Sequence, residues 1–402
     1  MDLGLGDALL IFGTLLTIAA ALSGLMRGTV LSISVLAVAL GIGLATTGVV
    51  SVDPRNGGIV DLITLAIVLT LFSDGLFVDR ELLTVHWGPV TRAIVLAMPL
   101  TLAMLGLFGK ALFPELTWAE AFLLAAVLTP TDPVVTSSVV TSVRVPENVR
   151  HTLNLESGLN DGLALPFVLF FLTFAEPTGA AAPEGLRVIG EAAFGAVVGI
   201  ALGVLGGRMH DRLPGGGITA RYEGIYAIGI GLAAFGLADV TFGNGLIAAF
   251  VAGVALGAVE HDIPESFVVF SENLSAISQV LTFFVFGALI VATGYDGDVW
   301  RLALFIALAL LVARPAAIFA SYVSSGFPRA QKAFVAWFGP KGVASMLFGL
   351  YVLKSEVPHG SLIFDVVAFT ILASIVAHGL TDTVGAGWVE RRSRGRAGQM
   401  TG

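Results

Sequence analysis

Four acids and two bases stand in apolar surroundings where charge is costly to keep: Asp74, Asp132, Glu156, Asp161, Arg314 and Lys341. A charged side chain at a bilayer centre costs at least about 2.5–3.5 kcal/mol, so each of them needs a partner or a task. Asp132 belongs to Thr129-Pro130-Thr131-Asp132-Pro133, where two prolines remove two backbone donors and open any helix that contains them. The freed carbonyls and the Thr131 hydroxyl are hard oxygens that suit a desolvated alkali cation. The plainer reading is a proline kink, and for the Asp132 carboxylate itself we expect capping of the half-helix that follows. In Glu156-Ser157-Gly158-Leu159-Asn160-Asp161-Gly162, helical spacing stacks Ser157 over Asp161 and Glu156 over Asn160 on the adjacent stripe. Gly158 and Gly162 give a small face that another backbone can approach. Such a helix offers one carboxylate and one hydroxyl to a cavity and a second carboxylate to a neighbour. Arg314-Pro315 supplies a guanidinium that persists in an interior only when paired, and Glu156 is its natural partner, leaving Asp161 free. Pro340, between Gly339 and Lys341-Gly342, should open its own helix as the proline pair does.

The elements that must position these residues are membrane helices. The chain has 402 residues, 56% hydrophobic and 12% charged, with a mean hydropathy of +0.91. Soluble domains carry about 45–50% apolar and about 25% charged residues, so a water-soluble fold is excluded. A net charge of −8 excludes a nucleic-acid binder, and the lack of cysteine excludes disulfides and thiol chemistry. The opening MDLGLGDALL has no basic stretch before its apolar run, so no cleavable signal peptide is expected. Apolar runs predict about thirteen crossings, near 9–26, 30–50, 60–79, 89–108, 117–142, 151–175, 185–206, 222–240, 244–260, 271–295, 299–322, 331–354 and 361–385. The broken crossings, 5 and 12, lie seven apart. That spacing predicts an all-α polytopic fold of two inverted-topology repeats, crossings 1–6 and 8–13, with the broken helices crossing each other. Asp132 and Lys341 would then neutralise the half-helix ends that meet there.

An odd number of crossings puts the termini on opposite sides, and loop charge decides which is inside. With a cytoplasmic C-terminus the inside collects Arg27, Arg80, Arg92, Arg144, Arg150, Arg208, Arg212, Arg221, Arg329, Lys332 and the tail arginines 391, 392, 394 and 396. The outside keeps Arg55, Lys110, Arg187, Arg301 and Lys354. The N-terminus is therefore expected outside, in a multi-pass protein of the cell membrane.

In this order and spacing, Thr-Pro-Thr-Asp-Pro, Glu-Ser-Gly-Leu-Asn-Asp-Gly, the Arg-Pro pair and Gly-Pro-Lys-Gly resemble the NhaP/NHE-type sodium:proton antiporters of the monovalent cation:proton antiporter-1 family. The resemblance covers nearly the whole membrane chain. It implies that Asp161 binds cation and proton in turn, with Ser157, Thr131 and the neighbouring Asn160 around a sodium, potassium or lithium ion. It further implies that Glu156 pairs with Arg314, and that Asp74 matches an acid near the cytoplasmic mouth. No cofactor is implied beyond the transported ions, and no soluble protein partner. The family is homodimeric, with a mobile core (here about 89–175 and 299–385), a dimerising scaffold (about 1–86 and 222–295), a linker helix (about 185–206) and, after residue 388, a short basic tail (389–402). The usual arginine is replaced here by Lys341. Because position 160 is Asn, the pair 160–161 offers a single carboxylate, and we expect electroneutral exchange of one cation for one proton.

Other readings carry less. A sodium-coupled symporter of an organic anion would need a wide polar pocket or an anion-binding base facing a cavity, and neither is visible in the sequence. An intramembrane aspartyl protease would draw on Gly4-Leu5-Gly6-Asp7 and Tyr295-Asp296, but these occur in the reverse order and at crossing ends, so the chain does not read as an enzyme. His378 is expected to be structural, and Asp239 and Asp365 to face solvent or headgroups.

Overall fold

The computed structural model describes residues 5–26, 33–52, 57–76, 87–132, 142, 144–177, 182–210, 218–259 and 265–400, and among them every regular element is a helix. In chain order these are α1 (Leu5–Met26), α2 (Ile33–Thr46), α3 (Gly57–Leu76), α4 (Gly88–Leu112), α5 (Trp118–Leu128), α6 (Glu147–Ala175) and α7 (Ala182–His210). Then follow α8 (Ala220–Asp239), α9 (Gly245–Val259), α10 (Glu265–Thr293), α11 (Val299–Ser321), α12 (Arg329–Trp337), α13 (Val343–Lys354) and α14 (Gly360–Met400). Six of them, α4, α6, α7, α10, α11 and α14, are long and apolar enough to cross a bilayer. The stretch expected as crossing 12 is two helices, α12 and α13, parted at Phe338–Gly342. Crossing 5 begins as α5 and stops at Leu128, and its continuation from residue 133 lies outside the described residues. The basic segment expected as a separate tail continues α14 as helix to Met400.

Proline explains a second irregularity. Both α4 and α11 contain one π-helical turn, at Ala93–Ala97 and Ala309–Ala313, and each turn directly precedes a proline dipeptide, Met98-Pro99 and Arg314-Pro315. A proline cannot bond the carbonyl four residues back, and locally wider winding lets other amides take up the slack. In α4 the Met98 amide reaches the Ala93 carbonyl, five residues behind.

Lipid gives apolar helices no hydrophobic reason to associate, so close backbone approach must hold them together. Glycine supplies it here at three pairings. On α2 and α10, a Cβ at Gly41 would strike the Phe284 carbonyl and one at Gly287 the Val38 carbonyl. Gly75 and Gly253 do the same between α3 and α9, and Gly195, Gly199 and Gly203 form a four-residue ladder on α7 against α9. α5 begins with a capping box, in which Glu120 accepts from the Thr117 amide (2.7 Å) and Thr117 Oγ1 accepts from the Glu120 amide (3.2 Å). Asp365 is buried near Thr293 at the end of α10, against the expectation that it faces solvent, because α14 packs that turn inward. Asp239 is exposed.

A Cβ at Gly199 would lie 2.5 Å from the Ala248 carbonyl oxygen. Gly199→Leu should therefore push α7 from α9 and cost about 1–3 kcal/mol, read as a lower melting temperature in detergent. An unchanged melting temperature would contradict this packing.

Candidate functional site

The helix interruption after α5 and the one between α12 and α13 meet, and each satisfies the other's open backbone. The Asp132 amide donates to the Pro340 carbonyl at 2.8 Å. The Asp132 carboxylate accepts from the Val343 amide at 3.1 Å, which caps the positive N-terminus of α13. In return, Lys341 Nζ donates to the carbonyls of Thr129 and Pro130 at 3.3 Å each, at the negative end of α5. The two glycines of Gly-Pro-Lys-Gly are there for space. A side chain at Gly342 would run into the Asp132 carboxylate, and one at Gly339 into the Arg314 guanidinium.

Around this junction the sequence-derived residues gather from α3, α6 and α11. Arg314 Nη1 and Nη2 donate to Glu156 Oε1 and Oε2 at 2.6 and 3.1 Å, and Nη2 also reaches the Val335 carbonyl at 3.2 Å. Both partners are buried, Arg314 at 8% and Glu156 at 4% exposure, so the arginine does not snorkel. Beside the pair lies a cavity of about 10 Å³, lined by Ala93, Ala97, Thr101, Thr129, Glu156, Asn160 and Arg314. That is room for about one water.

On the neighbouring stripe, Asn160 Nδ2 donates to Thr131 Oγ1 at 2.7 Å, which ties α6 to the opened chain after α5. Ser157 and Asp161 are buried one helical turn apart. Asp161 is 5% exposed, and its Oδ1 has no hydrogen-bond partner among the described residues. The same holds for Asn160 Oδ1 and Asp74 Oδ2. Asp161 sits within electrostatic range of Asp74, Asp132 and Lys341. α3 packs on α6 here, where a Cβ at Gly158 would make ordinary contact, 3.6 Å, with the Asp74 carbonyl. Phe250 of α9 packs over Gly162, which closes the group from the other side.

Several contributors escaped sequence reasoning. Ser345, in the first turn of α13, is fully buried with its Oγ unpartnered; a lone hydroxyl four residues past Lys341 was a visible signal. The π-turn of α4 lines the cavity, and Pro99 was its sequence mark. Ser374 had no such mark.

Removing one partner of a buried ion pair leaves an uncompensated charge and costs about 3–5 kcal/mol. Glu156→Gln, which strands Arg314, should lower the melting temperature in detergent more than Asp161→Asn does. Equal melting temperatures would show that the Glu156–Arg314 pair does not bear on stability.

Comparison with known proteins agrees with this architecture. The profile described as sodium/hydrogen exchanger, transmembrane, matches residues 12–384. The K+/H+ antiporter NhaP of Alkalimonas amylolytica is 24% identical over 332 residues, covering 81% of this chain and 57% of that protein. A probable Na+/H+ antiporter of Schizosaccharomyces pombe is 29% identical over 373 residues, covering 81% of this chain and 48% of the relative. The chain thus spans about half the length of these curated relatives. The solved structure of the sodium proton antiporter MjNhaP1 from Methanocaldococcus jannaschii superposes with a TM-score of 0.78 at 20% identity, over 96% of this chain and 98% of that one. With its match across residues 12–384 and its long apolar helices, this chain is an integral, multi-pass membrane protein that belongs to the sodium/hydrogen exchanger family.

Proposed function

We propose that the chain exchanges a monovalent cation for a proton across the cell membrane, with sodium as the first substrate and potassium or lithium as alternatives for the same site. The observation that carries this is the Asp161 carboxylate, buried and with Oδ1 unpartnered beside an opened helix. An anionic oxygen in such surroundings is stabilised by whichever small cation arrives, a proton or a metal ion. Ser157 and Thr131 add neutral oxygens, Asn160 fixes Thr131, and Asp74 lends a further carboxylate on the cation's path. The activities named for the relatives, potassium:proton exchange in one and sodium:proton exchange in others, support the class of reaction.

On this proposal Glu156 and Arg314 are a structural pair, and Asp132 and Lys341 are compensating charges where two broken helices cross. The frame is thirteen crossings in two inverted repeats. A core of about 89–175 and 299–385 moves against a scaffold of about 1–86 and 222–295, which dimerises with a second copy; the helix at about 185–206 links them. The glycine-laced pairs α2–α10, α3–α9 and α7–α9 fall within scaffold and linker, which supports that division. The N-terminus faces outward and the basic segment 389–402 the cytoplasm.

Asp161→Asn should abolish cation-driven proton flux in reconstituted vesicles while the protein still folds. Retained exchange would overturn the assignment.

Charge counting gives the stoichiometry. Glu156 is neutralised by Arg314, Asp132 caps α13, residue 160 is Asn, and Asp74 serves the path toward the cytoplasmic mouth without titrating, so one carboxylate carries one proton or one cation. Exchange is then electroneutral, and a membrane potential, worth about 2.3 kcal/mol per charge per 100 mV, neither drives nor opposes it. In vesicles clamped with potassium and valinomycin, the sodium-driven pH change should reach the same equilibrium at every imposed voltage. An equilibrium that moves with voltage would show that a second group, Asp74 first among them, carries a proton.

A further inference from the structure

We propose that Ser374 and His378 are positioning residues for the ion site: together they bridge the break between α12 and α13 and hold Lys341 in place. The proposal rests on the antiport reading above for its consequence, although its geometry stands apart from it.

Three residues on one stripe of α14, Ser374, His378 and Thr381, face the break at helical spacing. On the far side of the break, the Lys341 amide donates to Ser374 Oγ at 2.9 Å. Ser374 Oγ lies 3.2 Å from His378 Nδ1, and His378 Nε2 lies 2.8 Å from the Trp337 carbonyl, the last residue of α12. His378 Nδ1 lies closer still, at 2.7 Å, to the Ser374 carbonyl. With the proton on Nε2, the imidazole donates to the Trp337 carbonyl, and one turn back on the same helix the Ser374 hydroxyl oxygen accepts from the Lys341 amide. Two hydrogen bonds to α14, one turn apart, thus tie residue 337 and residue 341 to a common support across Gly339-Pro340, where helical bonding is lost. The Trp337 indole fixes the imidazole plane, stacked at 4.9 Å between centroids, and is itself held by Nε1 donating to Thr381 Oγ1 at 2.8 Å.

The consequence reaches the ion site through Lys341. Its amide is held by Ser374, and its Nζ closes the end of α5 at Thr129 and Pro130, next to Thr131. A loosened amide lets the ammonium drift, and the carbonyls and hydroxyl at the opened end of α5 lose their fixed geometry. Ser374 and His378 touch neither Asp161 nor the transported ion, so they act by position. A lone histidine in a membrane helix and a serine four residues before it thereby gain a task.

Two measurements decide the proposal. Hydrogen–deuterium exchange of the purified protein reads the bridge without any transport: in Ser374→Ala the peptide containing Lys341 should exchange about tenfold faster than in wild type. Ser374→Thr, which keeps the hydroxyl, should restore slow exchange. Equal exchange in wild type and Ser374→Ala would overturn the bridge. In vesicles, Ser374→Ala and His378→Leu should raise the apparent KM for sodium about fivefold with a smaller change in maximal rate, because a misplaced ligand set weakens ion binding first. His378→Gln, which can still donate to the Trp337 carbonyl, should recover much of the affinity. Faster amide exchange with an unchanged KM, or a lower maximal rate alone, would overturn the positioning role. Wild-type vesicles that exchange neither sodium nor potassium for protons would instead refute the antiport reading, while the amide measurement still decides the bridge.

Discussion

A helix that opens inside hydrocarbon exposes amides and carbonyls that no water can satisfy, and each such group costs several kcal/mol. The interior is organised around that constraint. The end of α5 presents carbonyls, the start of α13 presents amides, and the two meet with opposite charges interposed. Lys341 answers the carbonyls of Thr129 and Pro130, and Asp132 answers the Val343 amide. Each interruption is tolerable because the other lies beside it. The glycines at 339 and 342 then follow, since any Cβ there would displace the charged groups at the junction.

Once the opened backbone is neutralised, the remaining charges separate by task. Glu156 and Arg314 saturate each other in bidentate geometry, which is the arrangement that lets a buried pair offset its desolvation. Asp161 shares α6 with Glu156 but faces another stripe and keeps one oxygen without a partner among the described residues. Five residues separate a saturated carboxylate from an unsaturated one, and the difference is made by which neighbour each stripe meets. α6 turns Glu156 toward α11, and it turns Asp161 toward the break and α3.

Packing around the site has a similar economy. Glycine ladders bring the backbones of α2 and α10, α3 and α9, and α7 and α9 close, and buried apolar side chains pack around them. Around the site, larger groups such as Phe250 over Gly162 fill the space instead, and the π-turns of α4 and α11 widen the helices next to the Glu156–Arg314 pair.

Composition and proline spacing were enough to establish a polytopic helical protein, because lipid imposes hydropathy on every spanning segment and closely spaced proline and glycine, as at 130–133 and 339–342, open a helix that a lone proline such as Pro166 leaves intact. The charged residues of the site were legible for the same reason: a charge retained among apolar residues needs a cause. Where a side chain goes after its helix is formed was another matter. Asp365 sits near a predicted helix end and yet is buried, and Asp74 of α3 lies against α6 at Gly158. Ser374 carries no charge and breaks no pattern, so it left no trace in the sequence, although it holds the Lys341 amide from 33 residues away. Local sequence determined the breaks, the helical class and the charges that must be buried. Only tertiary structure decided their partners, because a hydrogen bond or ion pair depends on where two distant helix faces come to lie, and no local pattern encodes that.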